Sequence, residues 1–117
     1  MFLELSHTRL EVYSQSYKLT LEAYKLTKKL PESEKFNLIT QLRRAALSVH
    51  LNLAEGSSRR SAQERKRYYE IARGSVIEID AALDIVVGLE YLNKNELEII
   101  GESIVSVFKL LSGMIGK

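Results

Sequence analysis

The chain has 117 residues, of which 45% are hydrophobic and 27% charged, with a formal net charge of +2 and no cysteine. That length suits one domain spanning residues 1–117 with one continuous core, and the composition is that of a globular protein and not of a disordered one. The lack of cysteine excludes disulfides, thiolate metal sites and cysteine nucleophiles. A start of MFLELSHTRLE is not that of a signal peptide, and no apolar run approaches membrane-spanning length, so the sequence reads as cytoplasmic with no membrane partner.

One proline and six glycines punctuate the chain, and apolar residues do not alternate with polar ones over any useful length, which predicts an all-helical protein. Thr8-Arg9-Leu10-Glu11 has the form of a capping box and predicts a first helix running to about Leu30, before Pro31. Ser33 is positioned to cap a second helix over about 34–55, which Gly56 would close in a left-handed conformation. Ser61-Ala62-Gln63-Glu64 forms another capping box, opening a third helix to about Tyr91. Asn93-Lys94-Asn95-Glu96 resembles one that opens a fourth, to about Met114.

Apolar spacing agrees with this division. Ile39, Leu42, Ala46, Val49 and Leu53 step by threes and fours along the second helix. Tyr68, Ala72, Ser75, Ile79, Ala82, Val86 and Leu89 do so along the third, and Leu97, Ile100, Ile104, Val107, Leu111 and Met114 along the fourth. Short connections between long helices force neighbours to run antiparallel, which predicts an up-down-up-down four-helix bundle. Gly74, Gly88 and Gly101 lie inside helices, each at a cost of about 1 kcal/mol against Ala, and close approach of a neighbouring helix would offset it.

Helix one carries a core stripe of Val12, Leu19, Ala23, Leu26 and Leu30 and a second stripe, Leu10, Tyr13, Tyr17, Leu21 and Tyr24. Ile99, Val105, Phe108 and Ile115 likewise widen the apolar face of helix four. One stripe suffices for a small bundle. Tyrosine, with large area and a polar tip, is enriched at interfaces, so Tyr13, Tyr17, Leu21 and Tyr24 are candidates for a contact between subunits.

Catalytic constellations are missing. His7 and His50 fall on different elements, neither three residues after a Glu, so neither metal nor cofactor is expected. Glu78, Asp80 and Asp84 read as a solvated or salt-bridged face, and GSSRRS lacks the pattern of a phosphate loop. No small-molecule substrate is implied. The basic segment is more informative: residues 59–67 hold five cationic side chains against Glu64 alone, a local charge of +4 in a chain totalling +2, so the remainder sums to −2. Arg65, Lys66 and Arg67 oppose the dipole at the start of a helix, at a few tenths of a kcal/mol each. Two readings follow from the residues: internal pairing of Arg59, Arg60 or Arg67 with Glu55, Glu64 or Glu70, or a footprint for phosphates, with Arg43, Arg44 and Arg73 as outliers and Tyr68 or Tyr69 as stacking groups.

The stretch QLRRAALSVHLNLAEGSSRRSAQERKRYYEIARGS, with LEVYSQSYKLTLEAYKLTKKLP before it and GLEYL after it, resembles the four-helix-bundle proteins encoded in intervening sequences of bacterial large-subunit ribosomal RNA genes. The resemblance runs end to end and rests on the LRRAA, NLAEG and ARGS segments in order. It implies a non-enzymatic bundle, a homopentamer and a role with RNA or a ribonucleoprotein. Related bundles are accessory proteins of diversity-generating retroelements, where a basic pentamer partners a reverse transcriptase and nucleic acid. His50-Leu51 stands where that family's motif carries Pro-Ala, and outside one segment this chain is nearly neutral, unlike the retroelement proteins. The motif carries Arg43, Arg44, Asn52, Glu55, Arg59 and Ser61 onto this sequence, with Asn52, Glu55, Gly56 and Ser61 expected to build the turn. Arg43, Arg44, Arg59, Arg60, Arg65, Lys66, Arg67 and Arg73 remain as candidate nucleic-acid contacts. The alternative is a protein-protein scaffold without nucleic-acid affinity.

Overall fold

The computed structural model describes residues 1–116 and consists of four α-helices linked by short segments: α1 (Glu11–Thr27), α2 (Leu38–Ser57), α3 (Ala62–Gly88) and α4 (Glu98–Ile115). Consecutive helices pack on one another and α1 also packs on α4, which closes a square of four around one core. The polar contacts give the directions. Between α1 and α2, Arg43 Nε donates to Thr27 Oγ1, Thr20 Oγ1 to the Ala46 carbonyl, and Ser16 Oγ lies 2.7 Å from His50 Nδ1. Numbers that rise on one helix fall on the other, so the pair is antiparallel. Ser57 with Tyr69 and Ser48 with Ser75 show the same for α2 and α3, and Arg73 with Ser112 together with the groove that Ile77 and Asp80 share with Val105 and Phe108 shows it for α3 and α4.

The first apolar stripe of helix one is buried throughout, as are Leu42, Ala46, Val49 and Leu53 of α2 and Ile100, Ile104, Val107 and Leu111 of α4. Each fully buried leucine, isoleucine or valine contributes about 1.5–3 kcal/mol relative to exposure. The bundle is therefore held by the periodicity visible in the sequence. In α3 the core also includes Tyr69, Val76 and Leu83, whereas Leu89 lies past the helix end and is exposed.

The helix ends differ from the expectation in instructive ways. Thr8 caps nothing: its hydroxyl donates to the Leu5 carbonyl at 2.7 Å inside a 3-10 turn over Ser6–Arg9, and α1 begins at Glu11 after an extended Leu10. Helix α1 stops at Thr27 and passes through bonds three residues apart up to Leu30, because the residue before a proline is pushed out of the helical region. Ser33 lies in a 3-10 turn over Glu32–Glu34, and α2 starts only at Leu38. Glu34 is held elsewhere, its carboxylate accepting from the Tyr91 hydroxyl at 2.7 Å, an acceptor that raises the pKa of that phenol. The two other caps form as read: Ser61 Oγ accepts from the Glu64 amide at 3.0 Å, and Asn93 and Glu96 close a reciprocal box on the turn that enters α4.

At the end of α3 the Glu90 and Tyr91 amides donate back to the Val87 and Val86 carbonyls, the paired bonds of a Schellman motif. That motif puts Glu90 at φ 62°, the only non-glycine residue with positive φ among the described residues, while Gly88 sits two positions early, within the helix. A left-handed backbone costs a side-chain-bearing residue about 1–2 kcal/mol, part of which glycine returns through its freer unfolded chain. Glu90→Gly should therefore stabilise the protein by about 0.5–1 kcal/mol. A rise in the urea midpoint at unchanged slope is the expected reading, and a fall would show that the Glu90 side chain holds the turn in some other way.

Candidate nucleic-acid interface at the α2–α3 end

Helix α2 and helix α3 meet at a turn of four residues, Ser58 to Ser61, and this turn consumes part of the basic segment. The Arg59 guanidinium lies 3.3 Å from the Glu55 carboxylate, donates to the Tyr68 hydroxyl at 3.0 Å and stands 5.0 Å from the centre of that ring. Its Nε is buried without a partner. Arg65 reaches back from the first turn of α3, and one of its terminal nitrogens donates to the Arg59 and Arg60 carbonyls at 3.0 and 2.7 Å. A single guanidinium thus satisfies two carbonyls that a four-residue turn leaves outside any helical ladder. Arg59 and Arg65 build the end of the bundle.

The other turn residues divide similarly. Glu55 belongs to the turn, since its carbonyl accepts from the Ser58 amide and hydroxyl. Ser61 is the cap of α3. Asn52 is not part of the turn: its amide donates to the Ser48 carbonyl and hydroxyl one helical turn back, within α2. Gly56 is not a left-handed cap, because α2 continues through it to Ser57 with no glycine at positive φ among the described residues. Its role is proximity. A Cβ placed there would stand 2.7 Å from Tyr68 Cβ and 3.0 Å from the Tyr69 ring, so only a glycine lets α3 come this close. Gly74, Gly88 and Gly101, for which close approach was expected, have nothing within 4 Å of such a Cβ.

The cations that remain exposed at this end are Arg60, Lys66 and Arg67, beside the exposed Glu64 and Glu70, and none of the three makes an ion pair among the described residues. Lys66 lies between two shallow depressions, one over Glu64, Arg67 and Glu70, the other between the start of α3 and Met114 and Ile115 of α4. The three outlying arginines are not brought here. Arg43 lies over the Tyr24 ring at 4.8 Å with its Nε on Thr27, and Arg44 donates to Gln41; at 1.5 Å per residue Arg43 is about 21 Å along α2 from the helix end at Ser57. Arg73 donates to Ser112 and faces Phe108. Of the candidate stacking groups, Tyr69 is buried and Tyr68 is covered by Arg59.

Along the α1/α2 edge, Tyr17 and Leu21 are exposed, whereas the Tyr13 ring lies 4.5 Å from that of His50, tilted by 44°, and Tyr24 lies under Arg43. The Ser16–His50 pair is one that spacing could not reveal, because its members are thirty-four residues apart. Ser16 is fully buried, and its hydroxyl also donates to the Tyr13 carbonyl. Burial, and secondarily His7, lower the His50 pKa, so the imidazole is neutral in the seam near neutral pH. The acidic residues Glu78, Asp80 and Asp84 are exposed, and the described residues contain no cluster of metal ligands. Among the described residues no helix is long and apolar enough to cross a membrane.

The comparisons with known proteins fit this architecture. A crystal structure of a protein of unknown function from the S23 ribosomal protein family of Bacteroides thetaiotaomicron superposes with a TM-score of 0.83 at 23% identity, over 91% of this chain and 99% of that one. At that identity the likeness establishes the fold. No curated protein matches the chain. The sequence matches the family described as 23S rRNA-intervening sequence protein over residues 8–113, nearly the whole bundle. With α1 to α3, all but the last two residues of α4, the Glu55-to-Ser61 turn and the two capping motifs inside that span, the chain belongs to the 23S rRNA-intervening sequence protein family.

Proposed function

We propose that the protein is a non-enzymatic, homo-oligomeric bundle, pentameric as its family resemblance implies, that binds RNA or a ribonucleoprotein through the α2–α3 end. The observation that carries this reading is the division of labour within the basic segment. Arg59 and Arg65 fix the turn, and Arg60, Lys66 and Arg67 are left exposed on the rigid end they create, without ion pairs among the described residues. Cations held on a fixed surface and free of internal partners suit a phosphate backbone, whose affinity comes from counterion release. Three such groups per chain give weak binding, and several copies on one rim would raise it by avidity.

The test is a titration of the purified protein with single-stranded and structured RNA at a series of salt concentrations. Log affinity should fall linearly with log salt, and each of Arg60→Gln, Lys66→Gln and Arg67→Gln should lower the slope by roughly 0.7 to 0.9. A protein-protein scaffold is the second reading, favoured by the internal use of Arg59 and by apolar side chains left exposed on two edges of the bundle. It predicts no RNA binding at low salt. Binding unchanged in the triple variant would place any nucleic-acid site elsewhere.

A further inference from the structure

Two edges of the square bundle expose apolar residues that nothing in the chain covers. On the α1/α2 edge these are Tyr17, Leu21, Leu47 and Leu51, between 38% and 59% exposed. On the α3/α4 edge they are Ile77, Val105 and Phe108, between 38% and 54% exposed, around an apolar groove of about 310 Å³ floored by Val76 and Ile104. A second depression continues this groove along the same seam past Asp84, Glu98 and Gly101, sharing Asp80 and Ile104 with the first. Because α1 packs on α2 and α4, and α3 does likewise, the two edges lie on opposite sides of the molecule.

Their charges are opposite as well. At helical spacing Lys28, Arg43 and Arg44 stand beside the first patch, and the carboxylate next to Leu51, that of Glu55, is already paired with Arg59. Asp80, Asp84 and Glu98 line the second, with Lys94 and Lys109 at its two ends. A face that paired with itself across a twofold axis would set like charges against each other, on either edge. Apolar against apolar and cation against carboxylate are satisfied together only when one edge meets the other.

We infer that the α1/α2 edge of one copy docks on the α3/α4 seam of the next, a head-to-tail contact in which Leu21 and Tyr17 cover the groove around Ile77, Val105 and Phe108 while Arg43 and Arg44 face Asp80 and Asp84. This rests on the oligomeric reading above and specifies how the copies meet. Such a contact uses two different surfaces per copy, so it closes into a ring or continues as a chain and has no dimeric end point.

The experiment uses two full-length variants, each with one edge spoiled by buried-contact carboxylates: Tyr17→Glu with Leu21→Glu on the first edge, and Ile77→Glu with Val105→Glu on the second. All four positions are exposed, so helicity and unfolding midpoint, checked by circular dichroism, should stay near those of the wild type. Should either pair unfold, the single variants Leu21→Glu and Val105→Glu take its place. Sedimentation should show each variant as a monomer where the wild type is assembled, and an equal mixture of the two should form a one-to-one dimer through the remaining intact edges. Two monomeric variants that do not combine would overturn the inference. So would loss of assembly in the first variant alone, which would mean an edge that pairs with itself, or in the second alone, which would mean that the seam takes another segment such as the exposed Met1–Leu5 of a neighbour. A wild-type monomer would remove the oligomeric reading itself.

Discussion

Gly56→Ala should destabilise the protein by roughly 2 kcal/mol, a fall in the melting midpoint near 8 °C for a chain of this size, even though alanine is the better helix former. The added methyl would sit 2.7 Å from Tyr68 Cβ, an atom fixed by its own backbone, and 3.0 and 3.2 Å from two ring carbons of Tyr69. Tyr69 is buried and its hydroxyl shares a hydrogen bond with Ser57, so the ring cannot swing aside without losing that contact. The helices must then part at their closest point. Gly74→Ala is the control: nothing lies within 4 Å of its Cβ, and there the helical preference of alanine should act alone and stabilise by up to about 1 kcal/mol. Thermal unfolding of both variants decides the matter. If Gly56→Ala is as stable as the wild type, glycine there does not set the distance between α2 and α3.

The second expectation separates the arginines that build the turn from those offered to a partner. Arg65→Ala removes two charge-assisted hydrogen bonds to the Arg59 and Arg60 carbonyls, one of them partly buried, and should cost about 2 kcal/mol. Arg60→Ala removes an exposed side chain and should change stability by less than about 0.5 kcal/mol. RNA binding should show the reverse pattern. Arg60→Ala should lower the salt slope by about one contact, whereas Arg65→Ala should weaken binding only as far as the turn loosens, with the slope kept. Chemical denaturation and RNA titration on the same two proteins give both quantities. Equal stability losses for the two variants would contradict the division of roles. So would a loss of slope confined to Arg65→Ala.

The sequence by itself determined the helices and their packing, because both rest on local information. The three-and-four spacing of Leu42, Ala46, Val49 and Leu53, or of Ile100, Ile104, Val107 and Leu111, needs no knowledge of what lies opposite to say that one face must be buried. The caps at Ser61 and Asn93 were legible for the same reason, since a side chain and an amide three residues on satisfy each other without outside help. Thr8 and Ser33 carried similar signals and cap nothing, because a 3-10 turn took their positions in each case. The functions of the glycines and arginines were decided only in three dimensions. Gly56 looks like a helix stop and is a contact point, while the left-handed position fell on Glu90 and not on the nearby Gly88. Composition shows a charge of +4 over residues 59–67, and the four-residue spacing of Glu55 and Arg59 admits their pairing, but neither says that Arg59 also goes to Tyr68 or Arg65 to two turn carbonyls, since those partners become neighbours only once α2 and α3 fold back on each other. A hydrogen bond depends on atoms meeting within about 3 Å, and for groups on different helices that distance is set by the packing of the whole bundle.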